Sequence, residues 1–196
     1  MKTFPFFYLI PALFVMSILP KSLFGSGRTE QYPYQVVKTY DAFEVRHYEK
    51  AVFARTRVDA STYRSGSSGA FRVLANYIFG GNERNESIAM TAPVTMRQED
   101  GLEMEFMMPS KYTLETLPAP MRDGIEFYEK PEVVMAAIRF GGWASDSRIE
   151  EMTEQLKEVL SRNNIVYKGP FLYMGYNPPY QLLNRRNEIV VEVIGF

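Results

Sequence analysis

The sequence of 196 residues contains no cysteine. It therefore cannot form disulfides, thiolate zinc sites, cysteine-ligated iron–sulfur clusters or a cysteine nucleophile. It contains a single histidine, His47, so a site made of several histidines is excluded, as is a Ser/His/Asp triad that does not use His47. An excess of one charge is also lacking, since 22 basic and 23 acidic side chains leave a net charge of −1. No nucleic-acid partner is expected from such a balance.

The N-terminal residues differ in composition from the rest of the chain. Lys2 is followed by a mostly apolar run over residues 4–19 that contains Pro5 and Pro11. This run is shorter than the roughly 20 residues of a membrane span and is closer to the apolar region of a secretory signal, which has about 7 to 15. Residues 1–27 are therefore predicted to be a signal peptide, which places the protein in the periplasm or outside the cell. The alternative is an uncleaved membrane anchor formed by residues 4–19, and no other membrane contact is expected.

After this leader the chain shows two strands, a helix and two strands. Apolar residues alternate with polar ones over 43–49 and 51–58, which predicts strands. Helical spacing of apolar residues before Gly80-Gly81 predicts a helix over 63–79. The stretches "MTAPVTMRQ" and "LEMEFMMPS" then predict two strands joined by the turn "EDG".

The second half of the chain repeats this order. Strands are predicted over 125–130 and 132–140, a helix over 146–162 with Ser147 and Glu150 as its capping box, and strands in the last 26 residues. Two such units bury their apolar faces best as an α+β domain, an antiparallel barrel-like sheet with a helix on either side. With 46% hydrophobic residues, the chain has the content for one such domain, predicted over 34–194.

Several stretches resemble a known family. They are "FEVRHYEKAVFART", "YIFGGNERNESIAMTAPVTM", "FMMPSKYTLETLPAP", "IRFGGWAS" and "GYNPPYQLLNRRNEI". In this order they resemble the SOUL heme-binding proteins over most of the chain. The resemblance implies a distorted antiparallel barrel of duplicated units with two helices, a fold similar to bacterial effector-binding domains. It also implies a protein that binds heme or a related tetrapyrrole, either through a histidine in "EVRHY" or through an apolar cleft with basic residues nearby.

The family motif makes His47 the candidate ligand for heme iron, because a neutral imidazole nitrogen suits iron. The other interpretation is an ordinary strand histidine. In the unusual segment "SIAMTAPVTM", Met90 is a candidate for the lining of the cleft, with core packing as the alternative. Heme propionates need cations, and Arg64 and Arg72 on the first helix are the candidates for them.

Two residues near the C-terminus form a further candidate site. The resemblance to effector-binding domains places an acidic residue of the last strand in a pocket, which here is Glu188, and Tyr176 is expected to share that pocket. If burial raised the pKa of Glu188, the pair would be able to perform acid–base catalysis. The function expected overall is non-catalytic binding of heme in an apolar cleft. The alternatives are a general binder of amphipathic ligands or a small-molecule hydrolase that uses Glu188.

Overall fold

The computed structural model describes residues 29–178, 180–181 and 183–196, and the leader predicted over 1–27 lies outside them. The described part contains nine strands and two helices: β1 Tyr34–Thr39, β2 Glu44–Tyr48, β3 Ala51–Val58, α1 Tyr63–Ile78, β4 Val94–Glu99, β5 Gly101–Met107, β6 Glu126–Lys130, β7 Val133–Phe140, α2 Asp146–Arg162, β8 Val166–Gly175 and β9 Asn187–Ile194. The predicted helices are confirmed. Strand β1 was not expected.

All nine strands form one antiparallel sheet in the order β1-β2-β7-β9-β8-β4-β5-β3-β6. The α+β class is therefore confirmed. Strands β1 and β6 lie at opposite edges, and no pairing joins them in the described part of the chain. Closure of the sheet into a barrel is accordingly not confirmed.

The sheet order repeats the internal duplication. Inward from β2 the strands run β2-β7-β9-β8, and inward from β6 they run β6-β3-β5-β4. Each strand of one unit thus occupies the place of its counterpart in the other unit, and the units meet where β4 pairs with β8. Helix α1 packs on β3 and β5, as α2 packs on β7 and β9. The repeat is therefore one of topology.

Short-range signals fix where the helices begin. Thr62 accepts a hydrogen bond from the Ser65 amide while the Ser65 side chain accepts one from the Thr62 amide, which caps α1. For α2 the predicted cap at Ser147 is wrong. Ser145 has extended backbone and accepts from the Arg148 amide at 3.2 Å. The helix therefore starts at Asp146, whose charge suits its positive end.

The core consists of three hydrophobic clusters, which lie on the two faces of the sheet. One lies under α2 and another under α1. The third lies on the face without helices, here called the inner face, and joins residues of both units, such as Phe53 and Val190. Because side chains alternate along a strand, neighbours such as Val45 and Arg46 point to opposite faces.

Among the described residues, no helix is long and apolar enough to cross a membrane.

Candidate functional site

A groove of about 600 Å³ runs beside α1 on the helix-covered side of the sheet. Its lining includes Phe71, Arg72, Val94, Met96, Trp143 and Arg185. The aromatic rings of Phe71 and Trp143 are 38% and 59% exposed, unusually high for large apolar side chains. The groove is therefore an apolar surface with a cation contributed by α1 and another by the loop before β9.

Separate parts of the chain build this groove. Phe71 follows buried Ala70 on α1, and its ring meets Phe106 edge-on at 5.4 Å between centroids. Strand β4 contributes Val94 and Met96, two residues apart and hence on one face. Trp143 belongs to the connection between β7 and α2.

Arg185 organises the loop that borders the groove. Its guanidinium lies 4.5 Å from the centre of the Trp143 ring, a cation–π contact. Its Nη1 donates to the carbonyls of Pro178 at 3.0 Å and Gln181 at 2.8 Å. Its Nε is buried and has no hydrogen-bond partner among the described residues. A ligand anion in the groove would meet the positive charge of this guanidinium.

On the inner face, Glu188 lies at the centre of a buried ionic cluster. Arg46 donates to its two carboxylate oxygens at 2.8 and 3.2 Å, and Arg186 donates at 3.0 Å through Nε. The Tyr176 hydroxyl donates at 2.8 Å. Glu188 is 0% exposed and Arg46 is 4% exposed. The predicted pair of Tyr176 and Glu188 is therefore in contact, but two arginines already saturate the carboxylate.

The electrostatics of this cluster favour an ionised Glu188. Burial by itself raises the pKa of its carboxyl, but the hydrogen bonds and charges of Arg46 and Arg186 outweigh burial and the pKa is lowered overall. Burial and the neighbouring Glu188 charge raise the pKa of Tyr176, which stays a neutral donor. The pKa of the Glu188 carboxyl is therefore lowered, whereas acid–base catalysis by this pair would require a raised one.

The ionic cluster and the groove are joined through the loop between β8 and β9. The Tyr176 amide donates to the Arg186 carbonyl at 3.2 Å and closes the base of this loop. Arg186 lies over the Tyr176 ring at 3.8 Å and bonds Glu188. The preceding residue, Arg185, reaches Trp143 in the groove.

His47 lies apart from the groove. In the sheet it is paired with Gln35 and Val134, and its side chain is 37% exposed. Its Nε2 is 3.6 Å from a Glu132 carboxylate oxygen. No cluster of three or more His, Asp or Glu side chains that could hold a metal ion occurs in the described part of the chain. Ligation of heme iron by His47 stays a prediction.

The other sequence-derived candidates are dispersed. Arg72 lines the groove, whereas Arg64 is exposed at the start of α1, where its amide lies 3.4 Å from Asp146 Oδ1. Met90 packs against the cluster under α1. Two residues further on, the Ala92 carbonyl accepts a hydrogen bond from the Tyr32 amide at 2.9 Å. This segment therefore also binds the chain just before β1.

The sequence did not single out Trp143 or Phe71 for the groove. Trp143 is the only tryptophan in the chain and follows two glycines in a connection between elements. A large aromatic residue at such a place was an available signal, because loops are usually exposed and carry binding residues.

A family model described as SOUL heme-binding protein matches residues 29–192. The chain belongs to this family. Human Heme-binding protein 2 is 30% identical over 157 residues, which cover 76% of this chain and 76% of that protein. Mouse Heme-binding protein 1 is 28% identical over 188 residues, which cover 89% of this chain and 97% of that protein.

Solved structures also resemble the fold of this SOUL protein. The EcmrR C-terminal domain matches with a TM-score of 0.60 at 11% identity, covering 83% of this chain and 99% of that one. A hydrolase from Listeria innocua matches with a TM-score of 0.53 at 8% identity, covering 80% of this chain and 94% of that one. At these identities the likeness concerns the fold alone.

Proposed function

We propose that this protein binds heme or a related tetrapyrrole in the groove beside α1 and performs no chemical step on it. The observation that carries the proposal is the pairing of exposed Phe71 and Trp143 with the cations Arg72 and Arg185 in one groove. A porphyrin is flat and apolar with two carboxylates at one edge. Membership of the SOUL heme-binding family supports the same ligand.

Apolar contact supplies most of the binding free energy in this proposal. A porphyrin that covers several hundred Å² of apolar surface gains on the order of 10 kcal/mol at about 25 cal/mol per Å². Association costs about 4 to 15 kcal/mol, so at the lower cost about 6 kcal/mol remains, an affinity of tens of micromolar without an iron ligand from the protein. Arg72 and Arg185 then orient the ligand by charge-assisted hydrogen bonds to its propionates. Because His47 does not line the groove, binding there needs no contribution from it.

Binding without catalysis fits the state of Glu188. Arg46 and Arg186 neutralise its carboxylate on the inner face, so it is not available as an acid or as a partner for a cationic ligand. The alternative that keeps support is a general binder of amphipathic molecules, because an open apolar groove does not by itself select the tetrapyrrole ring.

Titration with three probes separates these functions. We expect hemin and metal-free protoporphyrin to bind with affinities within about threefold of each other, because iron ligation is not required, and both to quench Trp143 fluorescence. The hydrophobic dye anilinonaphthalene sulfonate, which lacks paired carboxylates, should bind at least tenfold more weakly. Equal binding of dye and porphyrin would favour the general binder, and a strong preference for hemin would indicate an iron ligand.

Export is proposed from residues 1–27 alone, which lie outside the described residues. Protein isolated from its native source should then begin near Arg28, as N-terminal sequencing would show. An intact N-terminus in a soluble cytosolic fraction would refute export, and an intact N-terminus in the membrane fraction would support the anchor.

A further inference from the structure

A second cavity, of about 470 Å³, lies on the inner face of the sheet, away from the groove. Its walls come from both units, with Thr95 and Glu105 on the first and Met135, Lys168 and Leu172 on the second. The volume is within the usual range of small-molecule sites, about 300 to 1,000 Å³.

An irregularity in β8 shapes this cavity. Lys168 pairs with Glu192 and Leu172 pairs with Val190, so β8 advances four residues where β9 advances two. The extra residues include Gly169, with φ of +76°, and Pro170, and both line the cavity. Such bulges often occur beside functional sites because they redirect the strand.

Thr95 supplies an independent sign of a ligand. It is 2% exposed, and its hydroxyl is buried without a hydrogen-bond partner in the part of the chain that the structure describes. It lies in the cavity wall, directly across the strand pair from Glu105. A buried hydroxyl that makes no hydrogen bond reduces stability, so an unpaired one beside a cavity is best explained by a ligand that completes it.

The charges of the cavity wall limit the kind of ligand. They form three ion pairs: Lys130 with Glu105 at 2.7 Å, Arg97 with Glu103 at 2.8 Å and Lys168 with Glu192 at 2.9 Å. Arg55 also lines the cavity and is bound by Glu126 at 2.9 and 3.0 Å, while the exposed Glu132 lies 3.6 Å from His47. A ligand with a net charge would leave a wall charge without compensation, whereas a ligand with both charges can meet the two partners of a pair. Apolar atoms of Met135 and Leu172 complete the lining.

We propose that this inner-face cavity binds a small amphipathic zwitterion, a molecule with an ammonium group, a carboxylate and one apolar group. The Thr95 hydroxyl bonds its polar end, the paired charges of both signs surround that end, and Met135 and Leu172 contact the apolar group. Met96 of β4 lines both the site and the groove, but the site opens on the opposite face of the sheet from the groove, so its occupant does not compete with a tetrapyrrole.

Three probes with one phenyl-alkyl skeleton test the charge requirement. They are L-phenylalanine, the cation phenethylamine and the anion 3-phenylpropionate, each titrated into the protein by calorimetry. We expect phenylalanine to bind at least tenfold more tightly than either charged analogue, with or without bound hemin. Equal binding of the three probes, or no heat with millimolar phenylalanine, would overturn the proposal.

Two buried threonines provide matched variants. Thr95→Val should weaken phenylalanine binding about tenfold, as expected from a lost hydrogen bond, and should leave the melting temperature unchanged or higher. Thr91 lies outside the cavity wall and donates to the Met107 carbonyl at 2.7 Å, so Thr91→Val should lower the melting temperature and leave phenylalanine binding unchanged. Unaltered phenylalanine binding in Thr95→Val would contradict the site, and this result does not depend on heme binding.

Discussion

Replacing Glu188 with glutamine removes the carboxylate charge that Arg46 and Arg186 share on the inner face. The shape of the side chain is kept, but Arg186 loses its counter-charge, and Arg46, whose side chain is 4% exposed, keeps the Glu44 carboxylate at 2.7 Å. Breaking a buried ion pair on one side costs about 3 to 5 kcal/mol, because the remaining charge stays buried and unpaired. We expect Glu188→Gln to lose stability near the lower end of this range, because Glu44 still neutralises Arg46. Urea unfolding at pH 7 measures the loss.

The contribution of Glu188 to stability should also depend on pH in a defined direction. The folded-state pKa of Glu188 is lowered, so the unfolded state binds the proton more readily. The stabilisation is therefore present above the unfolded pKa and is lost as the pH falls through the folded value. Unfolding free energies measured from pH 7 to pH 3 should fall less steeply for Glu188→Gln than for the wild type.

The internal repeat supplies a control. In the register of the sheet, Glu103 of β5 lies opposite Arg57 of β3, and Glu188 of β9 lies opposite Arg139 of β7. The two glutamates therefore hold equivalent strand positions. Glu103 binds the partly exposed Arg97, and a pair of this kind contributes about 0 to 1 kcal/mol. Glu103→Gln should therefore cost much less. Equal losses from the two variants, or identical pH profiles of Glu188→Gln and wild type, would refute the reasoning.

Three further predictions follow from the same contacts. Glu188→Gln should also weaken hemin binding severalfold, because it releases the base of the loop that positions Arg185. Quenching of Trp143 fluorescence measures this affinity. An unchanged affinity would show that the loop keeps its place without Glu188. His47→Ala should leave the Soret band of bound hemin unchanged, and a shifted band with a lost pH dependence would instead establish His47 as the iron ligand. Gly66→Ala should lower the free energy of unfolding by about 1 to 3 kcal/mol in thermal unfolding, because an added Cβ would approach side-chain atoms of Ala60 and Leu102 to 2.7 Å. At Gly69 on the same helix an added Cβ meets nothing within 4 Å, so Gly69→Ala should be tolerated.

Local patterns account for the parts of the fold that the sequence predicted. The helices α1 and α2 and the strands β2 to β9 have apolar residues at the period of their element. Strand β1 was missed because five of its six residues are exposed, so it shows no alternation. The α2 cap was misplaced by two residues because Ser147 with Glu150 matches the capping-box pattern and Ser145 with Arg148 does not, although Ser145 is the residue with extended backbone.

The site was harder to predict because long-range pairing assembles it. Arg46 and Glu188 meet across 142 residues of chain, and no local pattern indicates that these charges neutralise each other. The groove likewise combines Phe71, Met96, Trp143 and Arg185 from four separate segments. Arg72 was identified because heme propionates need cations near the cleft, but periodicity could not show which face of the helix borders Trp143.

Heme bound in the groove beside α1 would lie next to Trp143. Quenching of Trp143 fluorescence by hemin, measured in charge-reversal variants, is therefore a direct test of this placement. Arg64 and Arg72 are both exposed on α1, but Arg64 does not line the groove. Arg72→Glu should raise the hemin dissociation constant about tenfold, equivalent to about 1.4 kcal/mol, and Arg64→Glu should change it less than twofold. Equal effects of the two variants, or hemin binding without quenching of Trp143, would contradict the account.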